Sequence, residues 1–542
     1  MEMKHTKILD CTLRDGAYLI DKQFGDNIIR GIINGLVTSR MDFIEMGFLQ
    51  DDGFGEGKTV YLNGKDAEKY VPQDKRGSLF TVLADYSRYS IDNLDNNTGK
   101  TFDAVRACFF KHERFDVIDF CKTIKQKGYM VFVQPVDILG YSDAELIDLI
   151  EDVNTIEPEC FSIVDTFGSM YSDDLSRVFS LVDHNLIKTS KIGFHSHNNM
   201  QMSSALSQDF VRMSYGKRNV VIDSTLCGMG RGAGNTPTEL IVQYLVSKMG
   251  YNYDMDVLLD IIDTYMNNIR TRCSWGYNTP YFIAGCYGSH INNVNYLRNK
   301  NSIRSKDIRF ILNKIGESKR KRYDYDLLEQ TYLDYLKSDI SDASAVEKLW
   351  NELHNKNILI IAPGKNAVVQ AENIKEFYRR EKPVVVAVNY IPDIVKVDYL
   401  YFSNAKRYNI CQTNREFDSS RRIITSNIKQ IADKREVMIS FARLIKCGWE
   451  NMENSMILLL RLLDIVDPAG IFIAGFDGYD IQKVNYAVSD MELSDVGENY
   501  AFINEEISDM LIDYLRCRDR NTPIKFITES RFEHIFEETN ML

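Results

Sequence analysis

Short β-branched apolar runs alternate with longer amphipathic segments over roughly the first 240 residues of the chain. The runs predict strands at Lys7–Thr12, Phe43–Phe48, Leu79–Asp85, Ala104–Phe110, Met130–Asp137, Phe161–Thr166, Lys191–Asn198 and Val220–Leu226. Between them, segments such as Asp26–Thr38, Phe115–Lys127 and Ala144–Val153 carry apolar residues at helical spacing. Eight strands with helical crossovers fit a closed barrel better than an open sheet, so the pattern predicts a TIM (β/α)8 barrel.

The pattern changes twice beyond the barrel. Residues from about 250 to 350 are mostly of helical type, and an α/β pattern resumes after them. Strands are predicted there at Asn357–Ala362, Val384–Asn389, Tyr399–Ser403 and Gly470–Gly475, with a helix at Ala367–Arg380. One helix between consecutive parallel strands is typical of an open Rossmann-like sheet. We therefore predict a TIM-barrel domain at 1–250, its helical extension at 251–350 and a Rossmann-like α/β domain at 351–542.

Composition and charge narrow the class of protein. A net charge of −12 argues against a partner that is a nucleic acid polymer or an anionic membrane surface, since either requires a basic face. The most apolar helix candidate, Met456–Val466, contains Arg461 and Asp464, so no membrane span is expected. The first residues lack the apolar stretch of a signal peptide, and the ten cysteines form no C-x-x-C pair. We expect a cytoplasmic protein with reduced thiols.

Three clusters of polar residues stand at the ends of predicted strands. The seventh strand contains Phe194-His195-Ser196-His197-Asn198-Asn199, in which both histidines project from one face because alternate side chains share a face. The first strand leads into Cys11-Thr12-Leu13-Arg14-Asp15-Gly16. The eighth leads into Gly228-Met229-Gly230-Arg231-Gly232-Ala233-Gly234-Asn235, whose glycines permit close approach of a ligand to the backbone.

These clusters converge if the barrel closes, because strand 8 then lies between strands 7 and 1. Taken singly, each cluster also has a structural explanation: a hydrogen-bonded strand end for the histidines, a salt-bridging surface turn for Arg14-Asp15, and a flexible loop for the glycines. Together, Asp15, His195, His197 and Asn235 supply the mixed oxygen and nitrogen ligands of a divalent cation at the carboxyl end of the barrel. Glu45, Arg106 and Asp165 lie on strands or at their ends, where they either contact a substrate or complete a buried hydrogen-bond network.

The three motifs resemble those of the DRE-TIM metallolyase superfamily, also called HMGL-like, and within it the 4-hydroxy-2-oxovalerate aldolases most of all. The similar strings are T-L-R-D-G at strand 1, H-S-H-N-N at strand 7 and G-A-G-N-T-P-T-E at strand 8, and the likeness covers about residues 5–245. It implies a metal-dependent aldolase that makes or breaks a carbon–carbon bond beside a pyruvate-like 2-oxo acid, with an aldehyde as co-substrate. It also implies Asp15, His195 and His197 as metal ligands and Asn235 as a fourth.

The resemblance assigns further roles near the metal. Mn²⁺ or Mg²⁺ is the expected cation, with Zn²⁺ as an alternative, and the reaction passes through an enolate of the chelated 2-oxo acid. Arg14 is expected to stabilise the negative charge on the enolate oxygen. Tyr18 stands where the related aldolases have a histidine as general base. Because an unperturbed phenol has a pKa near 10, Tyr18 acts as an acid, positions the substrate, or leaves proton transfer to water.

The C-terminal region lies outside that likeness. Ile361-Ala362-Pro363-Gly364-Lys365-Asn366 places a turn just after a strand, and the region faintly resembles the Rossmann-like folds of bacterial sialyltransferases and pterin pyrophosphokinase-like proteins. This resemblance implies a nucleotide or nucleotide-sugar partner and a second activity; a structural or partner-docking module is the alternative. For the whole chain, which we expect to form a homo-oligomer, two other functions stay open. They are a Claisen-type synthase using an acyl-CoA and a non-catalytic scaffold that retains its metal.

Overall fold

The computed structural model describes residues 5–300, 303–337, 340–428, 432–449, 454–480, 484–488, 491 and 499–539. The chain divides into two compact units. The N-terminal unit comprises Met1–Tyr296 and Ser305–Tyr325, and the C-terminal unit comprises Leu297–Arg304 and Asp326–Leu542. No helix in the described ranges has the length and apolarity needed to cross a bilayer.

The N-terminal unit is a closed barrel of eight parallel strands, as the sequence predicts. The strands are β1 (Thr6–Asp10), β2 (Phe43–Leu49), β3 (Leu79–Asp85), β4 (Ala104–Phe109), β5 (Met130–Pro135), β6 (Cys160–Asp165), β7 (Lys191–Ser196) and β8 (Val220–Ser224). Strand β1 pairs with β2 on one side, where Leu9 faces Phe43, and with β8 on the other, where Leu9 faces Asp223. These two pairings close the cylinder, and Val60–Tyr61 adds a short parallel strand beside β2.

Helices follow seven of the eight barrel strands. They are Asp26–Thr38, Gly64–Glu68, Val117–Gln126, Asp143–Asn154, Ser172–Asn185, Ser203–Ser214 and Thr238–Met249. Asp143–Asn154 illustrates why they form: Ser142 accepts a hydrogen bond from the Glu145 backbone N–H at the amino end, and Leu146, Leu149 and Val153 recur on the buried face. Strand β3 differs, because a 3-10 turn at Ile91–Asn93 connects it to β4 through a stretch with few apolar residues.

The barrel interior consists of an apolar layer below a charged one. Leu9, Phe43, Ala104, Phe132 and Val221 pack together in the interior. Two residues further along the same strands stand Cys11, Glu45, Arg106, Gln134 and Asp223, all buried. Since side chains alternate with a period of two along a strand, the second set points to the same interior, one step nearer the carboxyl end. Charged groups therefore lie at the barrel end where such folds carry their chemistry.

The region after the barrel is helical, as predicted. Its helices are Met255–Ile261, Asn267–Arg270, Thr279–Tyr287, Ile291–Arg298, Ser305–Ile315, Glu317–Arg320, Tyr325–Leu336 and Ala343–Leu353. A turn of π-helix at Ile262–Met266 joins the first two. The segment Cys273–Asn278 passes close to the barrel loops, where the Trp275 indole N–H donates to the Cys227 carbonyl (2.9 Å).

Within its described residues, the C-terminal unit contains an open sheet of seven parallel strands. They are β9 (Asn357–Ile361), β10 (Val384–Val388), β11 (Tyr399–Phe402), β12 (Arg421–Thr425), β13 (Glu436–Ile439), β14 (Gly470–Ala474) and β15 (Ile524–Phe526). Their order is β13-β12-β11-β10-β9-β14-β15, so the direction of winding reverses between β9 and β14. The predicted strands β9, β10, β11 and β14 are present, whereas β12, β13 and β15 were not predicted.

Helices connect these strands. They are Asn366–Val369, Ala371–Glu381, Ala405–Cys411, Arg415–Ser419, Phe441–Leu444, Ser455–Val466, Tyr500–Cys517 and Glu533–Thr539. Ser455–Val466, the apolar segment noted in the sequence, is a buried helix whose Leu458, Leu459 and Leu463 are inaccessible to solvent. Its apolarity therefore serves the core of this unit.

Candidate metal centre at the barrel mouth

Asp15, His195 and His197 meet at the carboxyl end of the barrel, although 180 residues separate Asp15 from His195 along the chain. One ligand atom from each side chain lies within 4.8 Å of the other two. Oδ2 of Asp15 is 3.1 Å from His195 Nε2 and 3.7 Å from His197 Nε2. The structure thus brings together the three side chains that the sequence placed on neighbouring strand ends, and they form a candidate metal-binding triad.

Asn235 lies beside this triad. It forms an antiparallel β-bridge with His197, and its Nδ2 donates to the Met229 carbonyl (3.1 Å), which fixes the orientation of the amide. The loop needs its glycines for this arrangement. A Cβ on Gly230 would lie 2.3 Å from Asn235 Nδ2, and one on Gly234 would lie 1.9 Å from the Gly228 carbonyl oxygen.

Two buried oxygens at the site have no hydrogen-bond partner among the described residues. They are Oδ1 of Asp15 and Oδ1 of Asn235. An unsatisfied buried acceptor is costly unless another group fills its place. Two imidazoles, a carboxylate and an amide oxygen form a donor set that suits a divalent cation of intermediate hardness. The residues present therefore fit the metal that the sequence implies.

Both imidazoles are oriented by hydrogen bonds at their second nitrogen. His195 Nδ1 lies 2.9 Å from Asp223 Oδ2, and His197 Nδ1 lies 3.0 Å from the Asp165 carbonyl oxygen. Because Nδ1 is engaged in each ring, Nε2 is the atom presented toward Asp15. Metal-ligating histidines in proteins are commonly held in this way.

A chain of buried charges runs beneath the triad. The Arg14 Nε donates to Glu45 Oε2 (2.7 Å), and Arg106 approaches the same oxygen (2.9 Å). Arg106 also pairs with Asp223 and donates to Gln134 Oε1 (3.1 Å). Glu45 and Arg106 thus occupy a hydrogen-bond network with no solvent exposure, which is one of the two roles that the sequence left open for them.

The charges of the triad are set by this environment. Burial disfavours the Asp15 carboxylate, but Arg14 and the two histidines hold its pKa well below the usual range. Burial also disfavours the charge of His195, yet its bonds to Asp15 and Asp223 raise its pKa. Burial lowers the pKa of His197 to about 4. An ionised Asp15 and a neutral His197 are thus in the protonation states that a metal ion requires of its ligands.

Arg14 is held between two carboxylates. Its Nη1 donates to Asp15 Oδ2 (2.8 Å) and its Nε to Glu45, while its Nη2 has no hydrogen-bond partner in the described part of the chain. The guanidinium is buried, and despite that burial its carboxylate neighbours raise its pKa well above the ordinary value. A fixed positive group with a remaining donor therefore stands beside the triad.

Tyr18 follows the same turn and packs between two side chains. Its ring makes an edge-on contact with Phe48 at 5.1 Å, and the Arg231 guanidinium lies 4.1 Å from the ring centroid. Burial raises the pKa of Tyr18, although Arg231 and Arg14 oppose the shift. Tyr18 is therefore a neutral phenol near pH 7.

Two residues near the site were missed in the sequence. Asp223 is the fourth of five residues in β8. The sequence feature that could have identified it is the one that pointed to Glu45, an acidic residue inside an otherwise apolar strand. Arg231 had no such signal, since it belongs to a glycine-rich loop and reaches Tyr18 only in the folded chain. Asp165, which was noted, accepts hydrogen bonds from the backbone N–H groups of Ser169 and Met170.

Comparison with known proteins identifies the barrel. Residues 5–265 match a family model described as HMGL-like. The N-terminal unit carries an HMGL-like domain. The resemblance read from the three sequence motifs is thereby confirmed.

The HMGL-like domain has named relatives among enzymes. An oxaloacetate decarboxylase of Mycobacterium tuberculosis is 24% identical over 308 residues, covering 54% of this chain and 85% of that protein. A 4-hydroxy-2-oxovalerate aldolase of Pseudoalteromonas translucida is 24% identical over 362 residues, covering 62% of this chain and 98% of that protein. The crystal structure of an N-terminal domain from Bacteroides vulgatus is 25% identical, with a TM-score of 0.47, and covers 53% of this chain and 95% of that one. The HMGL-like family and its named relatives bear out the prediction of a carbon–carbon lyase.

Proposed function

We propose that this protein is a divalent-metal-dependent aldolase that cleaves or forms a carbon–carbon bond beside a pyruvate-like 2-oxo acid, with an aldehyde as co-substrate. The observation that carries the proposal is the meeting of Asp15, His195 and His197 around one point, with Arg14 hydrogen-bonded to the same carboxylate. The relatives named as 4-hydroxy-2-oxovalerate aldolases support this choice of reaction.

Asp15, His195 and His197 would hold the cation, with Asn235 Oδ1 as a fourth ligand. Mn²⁺ or Mg²⁺ suits the two oxygen donors, and Zn²⁺ is the alternative for the two nitrogen donors. When bound, a divalent cation supplies Lewis acidity toward the carboxylate and keto oxygens of a 2-oxo acid.

Arg14 stabilises the negative charge that develops on the substrate oxygen when the carbon–carbon bond breaks. Its guanidinium is fixed by Asp15 and Glu45 before the substrate arrives, so little reorganisation accompanies the reaction. A preorganised donor of this kind contributes about 3 kcal/mol to transition-state stabilisation. The free Nη2 is the atom that donates to the substrate.

Tyr18 keeps its proton near neutral pH, because burial raises its pKa even though Arg231 lies against its ring. Its Oη is therefore a hydrogen-bond donor toward the substrate. Aldol cleavage of a 4-hydroxy-2-oxo acid requires a base for the hydroxyl, and Tyr18 is unsuited to that task. Decarboxylation of a 2-oxo diacid requires no such base and yields the same kind of enolate. Tyr18 therefore favours a second candidate reaction, the decarboxylation for which the Mycobacterium tuberculosis relative is named.

Proton exchange in D₂O tests the proposal. The protein is incubated with Mn²⁺, Mg²⁺ or Zn²⁺ and pyruvate, and deuterium entering the methyl group is followed by ¹H NMR. We expect exchange that requires the metal and that is lost in His195→Ala and His197→Ala. Release of CO₂ from oxaloacetate and of aldehyde from 4-hydroxy-2-oxo acids then separates the two reactions. An absence of exchange with all three metals would contradict the proposal and favour the acyl-CoA synthase or the scaffold.

A further inference from the structure

A cavity of about 570 Å³ lies at the carboxyl end of β9 and β14, the two strands between which the winding of the C-terminal sheet reverses. Lys365 and Asn366 after β9, Asp477 and Asp480 after β14, and Glu529 and Arg531 after β15 line it. In open α/β sheets, ligands bind in the crevice that forms outside the strand ends at such a reversal. The cavity therefore lies at the place where folds of this type commonly bind a ligand.

The rim of this cavity is fixed by hydrogen bonds between its loops. The Gly364 N–H donates to the Gly475 carbonyl (2.8 Å), and the Asn366 Nδ2 donates to the Glu529 carbonyl (2.9 Å). The backbone N–H of Lys365 donates to the Asn485 carbonyl (3.1 Å). Loops that follow three different strands are thus tied together, so the cavity is preformed. Binding of a ligand therefore costs little conformational entropy of the loops.

The lining carries two cations, Lys365 and Arg531, and three carboxylates, Asp477, Asp480 and Glu529. Lys365 and Arg531 have no ion-pair partner in the described ranges. Asp477 accepts a hydrogen bond from the Asn366 backbone N–H at Oδ2 (2.6 Å), whereas its buried Oδ1 has no partner there. Burial raises the pKa of Asp477 to about 6, so a donor to Oδ1 would be favourable near neutral pH.

We infer that this cavity binds a phosphate ester that carries free hydroxyl groups, as nucleotides and sugar phosphates do. Lys365 and Arg531 hold the phosphate, since both lie at the rim and donate to its oxygens. Asp477 accepts from a hydroxyl group of the ester, because its buried Oδ1 lacks a donor in the described ranges. A bare divalent cation fits less well, because the acidic groups here are not among the described clusters able to hold one.

Titration of the full-length protein tests the inference. Isothermal calorimetry is run with adenosine 5′-monophosphate and uridine 5′-monophosphate, with ribose 5-phosphate and glucose 1-phosphate, and with inorganic phosphate and adenosine as partial ligands. We expect at least one ester to bind more tightly than phosphate or its nucleoside alone. Preference for nucleotides over sugar phosphates, or the reverse, identifies the source of the ester. If no ester binds at millimolar concentration, the inference is overturned.

Variants assign the binding to this cavity. Lys365→Ala and Arg531→Ala should each weaken ester binding about tenfold. Asp477→Asn should weaken binding of the ester but not of inorganic phosphate, since only the ester carries hydroxyl groups. Arg379→Ala removes a positive charge from a separate groove at the amino ends of β10, β11 and β12 and should leave the affinity unchanged.

The binding should also be independent of the barrel chemistry. His195→Ala and treatment with EDTA abolish the proposed metal site but should leave ester affinity unchanged, so failure of one proposal is distinguishable from failure of the other. Equal affinity in Lys365→Ala, Arg531→Ala and Arg379→Ala would overturn the assignment to this cavity. Binding of Mg²⁺ alone that Asp477→Asn abolishes would overturn the ligand class.

Discussion

His195 and Asp223 are joined by a buried hydrogen bond, with His195 Nδ1 2.9 Å from Asp223 Oδ2. The same carboxylate oxygen pairs with Arg106, so its position is fixed from a second side. The bond keeps the proton of a neutral imidazole on Nδ1 and directs Nε2 toward Asp15, 3.1 Å away. Asp223 is therefore a positioning residue, which acts on the metal site through His195.

Asp223→Asn should weaken metal binding about 10–100-fold, the usual effect of removing such a partner of a ligating histidine. The asparagine keeps the size of the side chain, but it loses the negative charge, and its amide nitrogen is a donor that cannot accept from Arg106 or His195. Mn²⁺ affinity is measured by competition with a chelator. Saturating Mn²⁺ should restore most of the methyl exchange of pyruvate, which a general folding defect would not allow. Unchanged Mn²⁺ affinity would remove Asp223 from this role.

Arg14→Lys and Arg14→Ala should lower kcat about 10²–10³-fold with little effect on metal content, because the lost group stabilises developing charge. Lysine keeps the positive charge but cannot bridge Asp15 and Glu45 as a planar fork does. The readouts are single-turnover kinetics and metal content by atomic emission. Activity close to wild type in Arg14→Ala would exclude the residue from the mechanism. Loss of metal in both variants would give it a structural role instead.

Tyr18→His places an imidazole where the resembling aldolases have their general base. We expect it to raise the rate of 4-hydroxy-2-oxo acid cleavage relative to oxaloacetate decarboxylation, since only cleavage needs a base for the hydroxyl. Tyr18→Phe removes the proton donor but keeps the ring contacts with Phe48 and Arg231. It therefore serves as the matched control. The ratio of the two rates is the measurement, and an equal ratio in all three proteins would show that the residue does not select the reaction.

The barrel and its three strand ends could be predicted because periodicity and motif spacing are local properties of the sequence. Strands β12, β13 and β15 could not be predicted from the sequence. β12 begins with two arginines, while β13 and β15 have four and three residues, so none gives an apolar run of normal strand length. Their strand conformation follows from parallel pairing with neighbours, which the sequence does not reveal.

The partners of the site residues were equally hidden. The sequence placed Asp15 and His195 on adjacent strand ends, but the link from His195 through Asp223 to Arg106 depends on inward side chains of three strands meeting across the barrel. The surroundings of Tyr18 depend on where the glycine-rich loop carries Arg231. Loop geometry of this kind is set by backbone angles and packing, not by residue pattern.

Asp10, the last residue of β1, makes the stability of the barrel depend on pH. Its buried carboxylate accepts hydrogen bonds from Thr238 Oγ1 (2.7 Å) and the Thr12 backbone N–H (3.0 Å), but burial outweighs them and raises its pKa to about 6. The folded pKa lies above the unfolded value, so the folded state binds the proton more tightly. Stability from this group is therefore present at low pH and is lost as pH rises from about 4 through about 6.

Asp10→Asn removes that ionisation, so it should stabilise the barrel by about 3 kcal/mol at pH 7.5 and by much less at pH 4.5. The midpoint of thermal unfolding is measured at both pH values in the presence of EDTA. Pulsed hydrogen exchange is read from peptides that contain β1 and β8, so the signal reports the barrel and not the C-terminal unit. Asp148→Asn, at an exposed site on the helix Asp143–Asn154, is the matched control and should give no difference between the two pH values. A gain from Asp10→Asn of the same size at pH 4.5 and 7.5 would mean that the asparagine acts through packing and that folding does not raise the pKa of Asp10.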